Sequence, residues 1–511
     1  GQINTEYATL DEEGYYLIDN SKKLVWVSVM VEHGYNDINV RITSDLDLSG
    51  VELRPIGNNA IPFRGTFDGG NHVIRGLEIQ QVEQNGVGLF GYIDSPAIIK
   101  NITLDNTCSL LGNRFVGIVG SVVGDLSGEV TMSGIGYEGS IDAAGATAAG
   151  ILGCGGGSGR VNIINCYTTG NITAQGEAAA FAAWTTSNTY LENCWTTAEV
   201  TGIEGEYAYC FRGNAHATNC YSIYGAQGTI LTEDAIASGE LCYALNGGQL
   251  ASAIWYQTLD MDKHPVLDRT HGLVYKVNED YACIYDENSF LEYRDRIIES
   301  DKNQMSEIIA TQAYVESYLA QIDKLATSTD RDEFISSYYA ISELRDSITA
   351  SAEAYARYKG RMEEIISQLA QDDSIVGATR NLLEKYLQEK EGASEDYPNG
   401  TYLYIYENHV LTTEQITEET AFVEALLLKA ISEGYTKDSD ITSLLKNANF
   451  TEGFDGWEGV MPNNVQDGVV ETYNDPFDIH QTLTGLANGV YELQVTGLFR
   501  PTGDAENTNY A

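Results

Sequence analysis

Short runs of apolar residues between small residues recur along residues 1–226 of the chain. They read VGLFGYI, VGIVGSV, AAGILGCG, AAAFAAWT and EYAYCFRG, and steps of 29, 33, 30 and 29 residues separate their centres. These centres are Leu89, Ile118, Ile151, Phe181 and Cys210. A period in this range is typical of solenoids, in which every repeat is one supersecondary unit.

A second apolar series interleaves with the first. The stretches IIKNITLDN, MSGIGYEGSI, IINCYTTGNI, LENCWTTAEV and ATNCYSIYGA advance by 33, 31, 28 and 26 residues. Their equivalent position holds Ile102, Ile135, Cys166, Cys194 and Cys220. Each repeat therefore has at least two short β-branched strands, and its apolar face is buried only when repeats stack. The pattern predicts a right-handed parallel β-helix with buried thiols, although a disulfide between neighbouring coils stays open.

The composition changes after Cys283, where glycine nearly vanishes and apolar residues recur at three- and four-residue steps, which predicts an antiparallel helical bundle. One continuous stripe holds Ile298, Met305, Ile308, Val315, Leu319, Ile322 and Ala326. Further helices are predicted around 331–370 and 375–391, and a last one from Thr412 or Thr413 to Gly434.

We therefore predict a mainly β multidomain protein. Its segments are an N-terminal cap at 1–36 with a helix that begins near Asn20 or Ser21, a parallel β-helix at 37–228, a helical C-terminal cap over the last coil with a linker at 229–285, a helical bundle at 286–437, and a partial jelly-roll β-sandwich at 438–511.

The stretch FRGTFDGGNHVIRGL includes Asp68 beside glycines and a histidine. Asp68-Gly69-Gly70-Asn71 has the chemistry of a tight corner that needs positive φ, so Asp68 is predicted to bond to the local backbone rather than to catalyse a reaction.

The same stretch, preceded by DLDLSG and PIG and followed by VGLFG, resembles GLUG-type β-helix repeats of Bacteroidetes surface proteins and of the extracellular regions of some IgA-specific proteases. The stretch SGELCYALNGG with WYQTLDMDKHPVLD resembles the segment that closes such helices. The opening NANFTEGFDGW with QTLTGLANGVY resembles carbohydrate-binding-module-like jelly rolls. The resemblance implies an architecture rather than a reaction, and the protease motif H-E-x-x-H is absent.

The net charge of −45 argues against binding nucleic acid or anionic lipid through a neutralising surface. The chain has no run of about 18 apolar residues, so no transmembrane segment is predicted. Eight cysteines in 511 residues are too dilute for a disulfide scaffold.

Catalysis is the first alternative, because β-helices often serve as polysaccharide lyases or glycoside hydrolases. The basic residues of the repeats are scattered rather than aligned, and the middle coils hold no pair of aspartates. These basic residues are Lys100, Arg114, Arg160 and Arg212. His264 and His271 lie seven residues apart in a predicted loop and are interpreted as surface residues. We predict no catalytic residue, no metal ligand and no cofactor.

Binding has a more definite candidate. If the cysteines of the second apolar series point inward, strand alternation turns Tyr167, Trp195 and Tyr221 outward on successive coils. These three side chains would then form an aromatic strip on which sugar rings can stack. The alternatives are that these rings only stack with one another or are covered by helices. Trp457 is a further ligand candidate. A structural calcium ion near Asp455 and Asp475 is left open.

The sequence thus predicts a monomeric protein, secreted or on the outer surface of a Gram-negative bacterium. Its expected role is non-catalytic adhesion to glycan or host extracellular matrix. Polysaccharide cleavage and a purely structural stalk are the alternatives.

Overall fold

The computed structural model describes residues 5–202, 208–211, 214–223, 229–435, 438–473, 475–484, 486, 488–499 and 509–510. The chain divides into two compact units, Gly1–Tyr293 and Arg294–Ala511. The division falls within the helix Glu287–Ser306. The finer domain bounds stay predictions.

The first unit contains a β-solenoid of about six turns, which confirms the predicted parallel β-helix. One sheet comprises strands Thr9–Leu10, Tyr15–Ile18, Asn39–Ile42, Leu46–Asp47, Thr66–Arg75, Ile98–Leu104, Glu129–Tyr137, Arg160–Ile164, Tyr167–Thr168, Thr189–Glu192, Trp195–Thr196, His216–Thr218, Tyr221–Ser222 and Thr229–Ile230. The other comprises Glu78–Val87, Phe90–Ile93, Ser109–Val116, Val119–Val122, Ser140–Ala143, Ala148–Ala149, Leu152–Cys154, Asn171–Ala174, Ala178–Ala182, Glu199–Thr201 and Ala208–Phe211.

The second apolar series forms one column in the interior, as predicted. Ile102 pairs in register with Ile135, and the Trp195 amide donates to the Cys166 carbonyl at 3.1 Å. The three cysteines of this column are buried and their thiols are free. Burial raises the pKa of the Cys194 thiol well above its usual range, because the thiolate would lose its hydration.

The first series is also stacked. Phe90 pairs with Val119 and Val119 with Leu152, which places the predicted centres of these coils one above another. The Val119 amide donates to the Ile151 carbonyl at 2.9 Å. The side chain of Cys210 lies outside the described residues.

A column of left-handed corners accompanies the stacked strands. Asn101, Asn165, Asn193 and Asn219 have φ values of 60°, 55°, 52° and 50°. Asparagine tolerates this conformation better than other non-glycine residues. The Asn219 side-chain amide also donates to Asn193 Oδ1 at 2.8 Å, so neighbouring coils are joined at the corner.

The FDGGNH stretch is a corner of the scaffold, as predicted. Gly70 and Asn71 have φ values of 59° and 60°, and Asp68 Oδ1 accepts the Gly70 amide at 2.9 Å. The strand Thr66–Arg75 continues through the corner with a register shift rather than ending there.

The N-terminal helix is Ser21–Glu32, and Asn20 caps it by accepting the Lys23 amide at 3.1 Å, as predicted. The C-terminal cap differs from the single predicted helix. It forms two short helices, Glu233–Ala237 and Glu240–Leu245, because Gly239 between them has φ 92° and interrupts the helical backbone. An antiparallel hairpin, Leu273–Val277 with Asp280–Ile284, follows.

Helices dominate the second unit up to residue 433. Its helices, together with the one that spans the division, are Glu287–Ser306, Gln312–Leu325, Arg331–Ala340, Ser342–Gln371, Ala378–Gln388, Tyr402–Asn408 and Thr413–Glu433. The last begins with a capping box at Thr412 and has Gly434 as C-cap, as predicted. No described helix is long and apolar enough to cross a membrane.

The predicted apolar stripe from Ile298 to Ala326 is divided between two helices. Residues far along the chain stabilise the break between these helices. The Thr311 hydroxyl donates to the Leu411 carbonyl at 2.7 Å, and the Thr311 amide donates to Ser351 Oγ at 2.7 Å.

Small antiparallel sheets follow the helices. The pairs are Glu458–Val460 with Asp478–His480, Asn464–Gln466 with Val469–Glu471, and Leu498–Phe499 with Asn509–Tyr510. A short 3-10 helix, Thr442–Leu444, precedes them. The likeness to a carbohydrate-binding module stays a prediction.

Candidate functional site

The predicted aromatic strip exists as a column. Tyr167 pairs with Trp195 and Trp195 with Tyr221 in parallel register, and all three turn away from the solenoid interior. The rings of Tyr167 and Trp195 are stacked, with centroids 5.1 Å apart and planes 5° from parallel. Strand alternation therefore assigned the correct side of the sheet to these residues.

The strip is not open to solvent, in agreement with the alternative that these rings stack with one another or are covered by helices. Trp195 is 0% exposed and Tyr167 is 2% exposed, whereas Tyr221 is partly buried. The physical reason is that the C-terminal cap packs its apolar residues against the outer face of this sheet. These cap residues are Leu231, Ile236, Leu241, Cys242, Leu245, Trp255 and Val274.

Polar contacts at the edge of the buried column are few. The Tyr167 hydroxyl donates to Glu138 Oε1 at 2.7 Å, and burial beside this carboxylate holds the pKa of Tyr167 well above its usual range. The imidazole of His264 lies 5.2 Å from the Trp195 ring and its side chain is partly exposed, so His264 packs at the edge of the column. Trp195 Nε1 is buried and has no hydrogen-bond partner among the described residues. The column accordingly works as packing between solenoid and cap.

Trp457, the remaining predicted ligand residue, is partly buried in the second unit. It stacks on Phe450 with centroids 4.8 Å apart, and its indole N–H donates to the Asn447 carbonyl at 3.2 Å. A sugar contact here stays a prediction. Within the described ranges, no group of three or more histidine, cysteine or acidic residues is arranged to hold a metal ion.

A partly exposed aromatic pair lies elsewhere on the solenoid. The rings of Phe115 and Trp184 meet edge to face, with centroids 6.1 Å apart. Trp184 is 43% exposed, and the guanidinium carbon of Arg114 lies 5.3 Å from the Phe115 centroid and 5.9 Å from the Trp184 centroid. We call these three side chains the Arg114–Trp184 surface.

Coil stacking brings the members of this surface together from two coils that are separated by a third. Arg114 and Phe115 belong to the strand Ser109–Val116, and Trp184 follows the strand Ala178–Ala182. The strand Ala148–Ala149 pairs with both, which sets the coils two steps apart. A distance of about 9–10 Å between these coils is short enough for two large aromatic side chains to meet.

The backbone at this surface is strained. Phe115 has φ 61° and Trp184 has φ 38°. The equivalent corner of the preceding coil uses Gly86 with φ 71°, for which this conformation is free of strain. A bulky residue in the left-handed region costs about 1–3 kcal/mol, and such outliers cluster at functional sites.

Polar groups border the two rings. The Trp184 amide donates to Glu177 Oε2 at 3.2 Å, and the Asn113 side-chain amide donates to Asn85 Oδ1 at 3.1 Å. An exposed ring face beside a guanidinium, a carboxylate and amides can hold a polar ring by stacking and hydrogen bonding together.

This surface was not predicted from the sequence, since outward alternation was followed only in the cysteine-containing series. A signal was available in the other series. Trp184 stands where the two preceding coils have Cys154 and Ser121, and Phe115 stands where its neighbours have a glycine or a threonine. Large aromatic residues at otherwise small positions mark a departure from the repeat.

Comparisons with known proteins find similarity over short stretches. No protein-family model matches the chain. It is 33% identical over 106 residues to halomucin of Haloquadratum walsbyi, which covers 18% of this chain and 1% of halomucin. It is 34% identical over 98 residues to the "Putative Gly-rich membrane protein" of Evansella cellulosilytica, which covers 18% of this chain and 11% of that protein.

Among solved structures, the chain is similar to "a putative immunoglobulin A1 protease" from Bacteroides ovatus, with a TM-score of 0.39 and 16% identity. That likeness covers 52% of this chain and 95% of the other. The class defined by the fold itself is that of β-solenoid proteins with an appended helical region.

Proposed function

We propose that this protein is exported to the outer surface of a Gram-negative bacterium, where it binds glycan or host extracellular matrix without cleaving it. The contact is the Arg114–Trp184 surface on the side of the solenoid. The observation that carries the proposal is the 43% exposure of Trp184 in an edge-to-face pair with Phe115 at a strained corner.

The chemistry of the surface supports a carbohydrate ligand. Aromatic side chains provide a rigid apolar face for the C–H side of a sugar ring, while neighbouring polar groups fix its orientation through hydroxyl hydrogen bonds. Glu177 provides an acceptor and Arg114 provides donors at the border of the rings. A solenoid also offers an extended rigid surface, which suits a long polymer.

A glycan array on the intact protein tests the proposal, followed by calorimetry on the best ligand. We expect Trp184→Ala to weaken binding at least about tenfold, since truncating a central aromatic contact typically costs 1.4 kcal/mol or more. Trp184→Phe retains a ring and should keep part of the affinity. Tyr35→Ala is the matched control, because Tyr35 is 57% exposed elsewhere in the same unit.

Three outcomes would contradict the proposal. Undiminished binding by Trp184→Ala, or no ligand on a broad array, would remove the Arg114–Trp184 surface as the contact. Release of reducing or unsaturated ends from a bound polysaccharide would replace adhesion by cleavage. Trp457→Ala, assayed in parallel, shows whether the second unit contributes a contact of its own.

A further inference from the structure

We infer that the glycan bound at the Arg114–Trp184 surface carries a carboxylate, as uronic and sialic acids do, and that Arg114 recognises it. This inference rests on the proposed function and adds the chemical class of the ligand. It follows from the contacts that the Arg114 guanidinium makes, and not from the aromatic rings alone.

Arg114 has no carboxylate within ion-pair distance in the part of the chain that the structure describes. Its contacts are the faces of Phe115 and Trp184, and its Nε is enclosed without a hydrogen-bond partner among the described residues. By contrast, Arg41 lies 3.2 Å from Asp11 and Arg361 lies 2.9 Å from Glu364. The sequence has 74 acidic and 29 basic residues, so a guanidinium left unpaired by its surroundings is notable.

The position of Arg114 suits recognition. The side chain is partly buried, and the two rings restrict its motion, so little rotational freedom remains to be lost on binding. Gly145 of the following coil packs closely against it, because an added Cβ would lie 3.1 Å from Arg114 Cγ and 2.2 Å from Asn113 Oδ1. A planar guanidinium presents parallel donors that match a carboxylate better than any neutral sugar hydroxyl.

The net charge of −45 does not exclude an acidic ligand at this surface. Charges farther away than the Debye length of about 8 Å at physiological salt are largely screened, so the nearby groups decide. One acidic group at the surface is Glu177, whose Oε2 accepts a hydrogen bond from the Trp184 amide.

Ligand pairs that differ only in charge test the inference on the intact protein. Oligogalacturonate is compared with its methyl ester, and sialyllactose with the methyl ester of its sialic acid; the two pairs distinguish a uronate from a sialate source. An acidic ligand found by the array is treated in the same way, against its methyl ester. We expect wild-type protein to prefer the acidic member of at least one pair about tenfold, and the preference to shrink at high salt.

Variants separate the role of the charge from that of the rings. Arg114→Gln should abolish the preference for the acid, because its affinity for the acidic member should fall at least about tenfold more than its affinity for the neutral member. Arg114→Lys keeps the charge without the planar fork and should keep a reduced preference. Trp184→Ala should weaken both members equally. Thermal unfolding and circular dichroism confirm that each variant is folded before its binding is compared.

Failure of the inference and failure of the proposed function give different experimental results. If wild type binds a neutral glycan through Trp184 but shows no preference for an acidic ligand, or if Arg114→Gln retains the preference, the inference is overturned and the proposed function stands. If neither member of any pair and no array ligand binds, the proposed function fails and the inference fails with it.

Discussion

Replacing Trp195 with alanine tests whether the buried aromatic column joins the cap to the solenoid or serves as a binding surface. Trp195 is fully buried, stacks on Tyr167 and meets Trp255 edge to face at 6.4 Å. Its removal leaves a cavity between two layers of the first unit. We expect the cap to open more often while the Arg114–Trp184 surface keeps its ligand.

The expected change in the free energy of cap opening follows from two opposing contributions. Truncating a buried tryptophan to alanine costs about 3–5 kcal/mol. The wild-type indole N–H is buried without a partner among the described residues, and that penalty, about 1–3 kcal/mol, disappears with the side chain. We therefore expect a net loss of about 2–3 kcal/mol, which corresponds to a roughly 30- to 150-fold larger open population of the cap.

Hydrogen exchange measures this population locally. The amides of Leu273–Val277 are suitable reporters because Val274 packs in the same cluster as Trp195. Their exchange should accelerate by the factor above in Trp195→Ala. Trp184→Ala is the matched control, since its side chain is 43% exposed and its loss should change exchange less than about fivefold.

The same two variants should show the opposite order in glycan binding. Trp195→Ala should bind within about threefold of wild type, and Trp184→Ala should not. Unchanged exchange in Trp195→Ala would refute the packing role of the column. A loss of glycan binding in Trp195→Ala, with the cap still protected, would restore the strip as the binding surface.

Two further predictions concern the solenoid core. Gly88→Ala should destabilise the protein by about 2 kcal/mol or more, because the new Cβ would lie 1.8 Å from the Gly117 carbonyl oxygen, whereas Gly124→Ala meets nothing within 4 Å and should change stability by less than about 0.5 kcal/mol; equal midpoints in urea unfolding would contradict this. Burial raises the pKa of Cys108 to about 11 from 9.0, so its contribution to stability is present below pH 9 and is lost as pH rises towards 11. Urea unfolding at pH 8 and 10.5 should show a smaller decrease for Cys108→Ala than for wild type; parallel curves would exclude this contribution.

The solenoid was predictable from the sequence because the apolar pattern that determines it is local and recurs in every repeat. Two apolar series with matching steps sufficed to place Ile102 over Ile135 and to stack the cysteines, since a coil can bury its apolar face only against the next coil. The helix Thr413–Glu433 was predictable for a similar reason, as its cap residues lie next to it in the chain.

Other features depend on distant contacts that local patterns do not contain. The break before Gln312–Leu325 is held by Thr311 bonding to Ser351 and to Leu411, while the apolar spacing runs on across it. The short helix Tyr402–Asn408 follows a turn-forming PNG stretch and was not predicted.

The candidate site also depends on contacts between residues that are distant in the sequence. Alternation correctly turned Trp195 away from the interior, but it carries no information on what covers that face. The Arg114–Trp184 surface needs the contact of side chains two coils apart, which emerges only after the coils are stacked in register.

That two-coil span limits how the repeat array can change during evolution. A solenoid can gain or lose a whole turn by duplication or deletion of one repeat, because each turn touches only its neighbours. An extra turn between the coils of Phe115 and Trp184 would move their rings apart by about another 4.8 Å and dissolve the pair. Relatives that keep this surface should therefore vary in repeat number before or after it, and keep a single intervening turn within it.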